Sequence, residues 1–154
     1  MRLGRAGEGL LHPAALASVA VLLLNDHWAK RAYPGFATGK LSDFAGLIFT
    51  PLLLDAWIEL GLRQAGRYRG PSPRRLRALA VLTGLVFALA KTWPPANIAV
   101  AWAMGLVRLP LDAGLALALG RGLPALGPVA LVRDPSDLLA LPSLGLALWV
   151  GRRR

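Results

Sequence analysis

The chain of 154 residues contains no cysteine, so it can build no disulfide framework, no thiolate nucleophile and no sulfur-ligated cluster. It has two histidines, His12 and His27, which puts a histidine-rich metal site out of reach, and neither metal nor cofactor is expected. Charge is scarce as well: 17% of residues are charged, against roughly 25% in a soluble domain. Acids are the rarer sign, 8 against 18 lysines and arginines, which leaves a formal net charge of +10. Hydrolase signatures are missing, since neither Gly-x-Ser-x-Gly nor His-Glu-x-x-His occurs. Gly39-Lys40 followed by Ser42 is no phosphate-binding loop. Gly35 precedes Gly39 by one residue too few, and Leu41 holds the hydroxyl position.

Apolar residues are what the chain has in plenty: 55% of its length, with a mean hydropathy of +0.51. That balance points to lipid as the solvent for a single integral-membrane domain covering residues 1–154. The strong positive charge would suggest nucleic acid in a soluble protein. Here the arginines border apolar runs and no groove-reading motif occurs, so the bilayer, and not nucleic acid, is the expected partner.

Four apolar stretches predict spanning helices, at about Leu10–Trp28, Leu41–Leu62, Leu76–Trp93 and Leu138–Val150. Arg2 and Arg5 precede the first, but no small-residue cleavage pattern follows it, so it is expected to remain as an uncleaved helix. Tyr33-Pro34-Gly35 separates the first stretch from the second. Pro51 is expected to kink the second, and Asp55 and Glu59 form an i,i+4 pair within it. Glu59 can reach Arg63 at the interface, while Asp55 is expected to face another helix. Ala45, Gly46 and Gly84 are small residues suited to close helix packing.

The region Ala96–Val132 is interrupted by Arg108, Pro110 and Asp112, which are poor residues for lipid contact. It is expected to be a re-entrant or surface-lying pair of short helices, with two short crossings as the alternative. Six arginines between Arg63 and Arg77, and the terminal Arg152-Arg153-Arg154, place those segments in the cytoplasm. The expected fold is therefore all-α: a polytopic bundle of about four spanning helices plus a re-entrant or interfacial segment, with both termini inside.

On that topology one outer surface collects Asn25, Asp26, Lys30, Lys40, Ser42, Asp43, Lys91, Asn97, Arg133, Asp134 and Asp137. Plainer roles exist for several of them. Asp134-Pro135-Ser136-Asp137 reads as a helix start, Ser42 or Thr38 as a cap, and Lys30 and Lys91 as snorkelling cations. Asp43, at the mouth of the second apolar stretch, is expected to be buried and paired, with Lys40 and Asp43 centring one coupled site. Such a cluster suits a lipid headgroup, an ion or another membrane protein. An alternative is an enzyme acting on a lipid or phosphate ester, with Lys40, Lys91 and Arg133 holding the anion and Asp43 or Asp137 moving the proton. A third is an ion or proton pathway through Asp43, Thr50 and Asp55.

Asn25-Asp26-His27-x-x-Lys30, the string Thr38-Gly39-Lys40-Leu41-Ser42-Asp43-Phe44-Ala45-Gly46-Leu47, Lys91-Thr92-x-Pro94 and Arg133-Asp134-Pro135-Ser136-Asp137-Leu138 occur in that order. Together they resemble a family of small uncharacterised bacterial multi-pass membrane proteins. The resemblance implies a bacterial cytoplasmic (inner) membrane location and the same choice of polar residues. It implies no activity.

Overall fold

The structure, a computed structural model, describes residues 5–33 and 35–152, and every regular element in it is helical. Arg2, Pro34, Arg153 and Arg154, which the sequence reading used, lie outside the described residues. A short 3-10 turn, Glu8–Leu11, leads into α1, Pro13–Leu24, which continues through a π-helical turn, Asn25–Ala29, and a last turn, Lys30–Ala32. Then come α2, Phe36–Gln64, α3, Pro73–Thr92, and α4, Pro94–Ala118. An irregular return follows, then a 3-10 run, Pro135–Ser143, and α5, Leu144–Arg152.

Local chemistry sets the helix starts. Pro13 takes the first position of α1, where an amide would have no helical partner, and His12 Nδ1 accepts the Ala14 N–H at 3.1 Å. Helix α2 begins at Phe36, several residues ahead of the expected Leu41. Thr38 Oγ1 accepts the Gly35 N–H at 3.2 Å, the N3-to-N-cap half of a capping box. Lys40, Ser42 and Asp43 consequently lie inside α2, and Ser42 is no cap.

The described residues form two compact units. The first joins those up to Leu85 with those from Asp137 onward. Its core is a helical bundle in which Ala15 of α1, Leu52 of α2, Leu76 of α3, and Ala147 and Val150 of α5 are at most 2% exposed. Small residues admit the close approaches. A Cβ on Gly84 would meet Leu144 Cδ1 at 2.9 Å, and Ala45 is buried, whereas Gly46 faces open space and mediates no packing.

The second unit is Val86–Ser136, and it differs most from expectation. Arg108, Pro110 and Asp112 do not divide it into two short helices; α4 runs unbroken through Pro110. Arg108 and Asp112 are four apart and pair across that turn at 2.7 Å, so the residues that interrupt the apolar run support the helix instead. After α4 the chain doubles back in extended form. Asn97 Nδ2 donates to the Leu131 carbonyl at 3.3 Å, the Val129 N–H donates to the Ala101 carbonyl at 3.0 Å, and Gly105 abuts Gly127. The register follows from geometry. Four helical residues rise about 6 Å while two extended residues span about 6.6 Å, so each step of four on α4 meets a step of two on the return.

Among the described residues, two helices, α2 with 29 residues and α4 with 25, are long and apolar enough to cross a membrane, fewer than the four expected. The reasons are local. The π turn at Asn25 ends the regular part of α1, and the last apolar run opens as a 3-10 helix, which leaves α5 with 9 residues. Helix α3 starts at Pro73, ahead of the expected Leu76, and so takes Arg74 and Arg75 into its first turn.

Candidate functional site

Where α1 meets α2, the π turn presents Asn25 to the start of α2. Asn25 is 1% exposed, and its Nδ2 donates to the Thr38 carbonyl at 2.6 Å and to Ser42 Oγ at 2.7 Å. Ser42 passes its own proton on to Asp26 Oδ1 at 2.7 Å, which a hydroxyl can do because it is donor and acceptor at once. Lys30 Nζ closes the chain on Asp26 at 2.6 Å, the i,i+4 pair that the spacing predicts. The Asp26 carboxylate thus accepts the Ser42 hydroxyl and faces the Lys30 ammonium. One group is left over: Asn25 Oδ1 is buried and accepts no hydrogen bond.

Lys40 makes a buried ion pair with Asp137, each side chain being 9% exposed. Its ammonium also lies 4.5 Å from the centre of the Phe36 ring. The two acids of the Asp134-Pro135-Ser136-Asp137 stretch thus divide their work. Asp134 Oδ1 accepts the Ser136 N–H at 2.9 Å and the Ser136 hydroxyl at 2.7 Å, as a cap does, while Asp137 turns inward to Lys40. Asp43 is half-buried on α2, one residue beyond Ser42.

Lys91, Arg133 and Asp134 belong to the second unit. Lys91 is buried, 5.4 Å from the centre of the Phe87 ring, and Arg133 is exposed. Asn97, beyond Lys91 in the chain, donates to the Ala90 carbonyl at 2.9 Å and so ties the end of α3 to the start of α4.

A second polar cluster sits toward the far end of α2, and sequence reasoning missed its centre. Arg75 reaches two acids that are both 1% exposed: its Nε donates to Asp55 Oδ1 at 2.5 Å and a terminal nitrogen to Glu59 Oε1 at 2.7 Å. The Gly7 N–H donates to Glu59 Oε2 at 2.8 Å, which draws the segment before α1 onto the same cluster. Glu59 therefore bonds Arg75, with Arg63 exposed at the end of α2. The signal was an i,i+4 acid pair inside an apolar stretch, which needs a buried cation. Arg75 went unrecognised because it stood among loop arginines. Lys40 and Glu59 lie about 28 Å apart along α2, close to the ~30 Å thickness of a hydrocarbon layer.

Chemically, the α1–α2 mouth offers a buried acceptor beside hydroxyl and carboxylate groups, and its lysine is neutralised by Asp137. The α2–α3 cluster locks the opposite end. No protein-family model matches the chain, and no curated protein or solved structure matches it either.

Proposed function

We propose that the chain is a multi-pass protein of the bacterial cytoplasmic membrane, crossing it four times with both ends inside. Its α1–α2 mouth is a headgroup site at the outer surface. One observation carries this reading: the first unit is inverted. Lys40, Asp137, Asn25, Asp55 and Glu59 are buried, while Leu23, Trp57, Ile58, Val81, Leu82 and Leu85 are 40–62% exposed. Water favours the opposite distribution, whereas lipid favours this one. The crossings are α1 with its extension, α2, α3 and the helical run from Pro135 to Arg152. The resemblance carried by the Thr38–Leu47 string supports the same assignment.

Helix α4 and its return add an even number of crossings, because Asn97 and Leu131 meet. Hydrocarbon cannot satisfy an extended backbone, and the Arg108–Asp112 pair is exposed midway along α4. We therefore place this hairpin along the outer surface. At the α1–α2 mouth, the half-exposed Asp26 carboxylate, which Asn25 orders through Ser42, and the neutralised Lys40 favour a donor over an anion, such as the ammonium of phosphatidylethanolamine.

Fractionation of expressing cells tests the membrane assignment: the protein stays in the membrane pellet through alkaline carbonate washing, and its release into the supernatant would overturn the proposal. Native mass spectrometry tests the headgroup. Phosphatidylethanolamine is retained by the detergent-purified protein and lost from Asn25→Leu, and equal retention by both removes the site.

A further inference from the structure

Arg77 and Arg152 flank a small cavity between the N-terminal turn of α3 and the C-terminal turn of α5. Its volume is about 200 Å³, and its remaining lining is Pro73, Leu76, Leu148 and Gly151. We propose that this cavity holds the phosphate of an anionic phospholipid, with the Leu76 and Leu148 side taking the first apolar carbons.

Charge complementarity selects the occupant. Three neighbouring arginines on α3 are used differently. Arg75 is consumed by Asp55 and Glu59, whereas Arg74 and Arg77 are exposed. Arg77 spends one donor on the Pro73 carbonyl at 3.2 Å, and neither it nor Arg152 has a carboxylate partner among the described residues. A guanidinium carries five donors in a fixed fork that matches phosphate oxygens, so most of this capacity is unspent. Size narrows the choice further. The cavity is smaller than the 300 Å³ or so of a typical small-molecule pocket, yet ample for a phosphate with part of a glycerol unit. Its apolar walls suit a lipid better than a free anion.

The location agrees. Arg77 and Arg152 lie in the segments whose arginine clusters assign them to the cytoplasmic side, where anionic lipids give the leaflet a negative surface potential. The inference rests on the membrane reading for its ligand. It also puts the anion at the end of the bundle opposite Lys40, whose charge Asp137 already neutralises.

The test uses the full chain in neutral detergent with soluble short-chain phosphatidylglycerol, followed by native mass spectrometry, so it does not depend on insertion into a bilayer. The wild type binds phosphatidylglycerol in preference to phosphatidylcholine. Arg77→Gln with Arg152→Gln weakens that binding by about tenfold, because both charge-assisted contacts are lost. Arg31→Gln, an exposed arginine elsewhere in the first unit, leaves binding unchanged. The proposal is overturned if the double variant binds like wild type, if Arg31→Gln is equally damaging, or if inorganic phosphate at the same concentration displaces the lipid. Both arginines have exposed positions, and an unchanged circular dichroism melt of the double variant confirms that a loss is not unfolding. A protein that binds this lipid yet washes off membranes in carbonate would sink the membrane reading and leave the anion site standing.

Discussion

Lys40 and Asp137 are 97 residues apart in the chain and meet in a buried ion pair that fastens the start of α2 to the run leading into α5. Stranding one charge of such a pair costs about 3–5 kcal/mol, whereas replacing both with apolar groups of similar volume can be neutral or better. Lys40→Met or Asp137→Leu alone should lower stability by about that amount, and the double substitution should recover most of it. Denaturant unfolding of the four proteins in a mutant cycle measures the coupling; additivity within about 0.5 kcal/mol would exclude the pair.

Arg75 answers two buried acids at once. Arg75→Leu should therefore be among the most destabilising single changes, about 3–5 kcal/mol, because it removes one cation from both. Arg63→Gln, at an exposed helix end, should fall within about 0.5 kcal/mol of wild type. Equal losses would restore the Glu59–Arg63 pairing that the spacing alone suggests.

A Cβ on Gly105 would lie 2.1 Å from the Gly127 carbonyl oxygen, a backbone atom that cannot rotate aside. Gly105→Ala should push the return off α4, and hydrogen exchange at the Val129 amide, which bonds the Ala101 carbonyl, should quicken. Gly114 faces open space on the same helix, so Gly114→Ala should leave that amide unchanged and strengthen the helix by roughly 0.5–1 kcal/mol.

Parts of this arrangement were legible in the sequence because charges beside apolar runs are costly and few. Asn25, Asp26, Lys30, Ser42, Lys40 and Asp137 stand out on that ground, and the Asp26–Lys30 pair follows from its spacing. Partners across the fold were not legible. Lys40 and Asp43 were expected to centre one site, but Lys40 pairs with Asp137, which only the path of the chain after α4 brings back to α2. Arg75 was hidden by a helix boundary: a start three residues earlier than expected turns a loop cation into a buried one. The extended return was also unreadable, because an apolar stretch rich in Gly and Pro has no period to mark which side it packs on. Its register depends on the small face of Ala101 and Gly105, a tertiary fact.

In the proposed arrangement α2 crosses a bilayer, with the Lys40–Asp137 pair at its outer end and Arg75 toward its inner end. A chain without cysteine allows a direct reading of this by single-cysteine labelling, free of background. Gly39 and Gln64 are both exposed and lie near opposite ends of α2. An impermeant maleimide applied to intact spheroplasts should label Gly39→Cys at once and Gln64→Cys only after lysis. Labelling of both from outside, or of neither until lysis, would contradict the crossing.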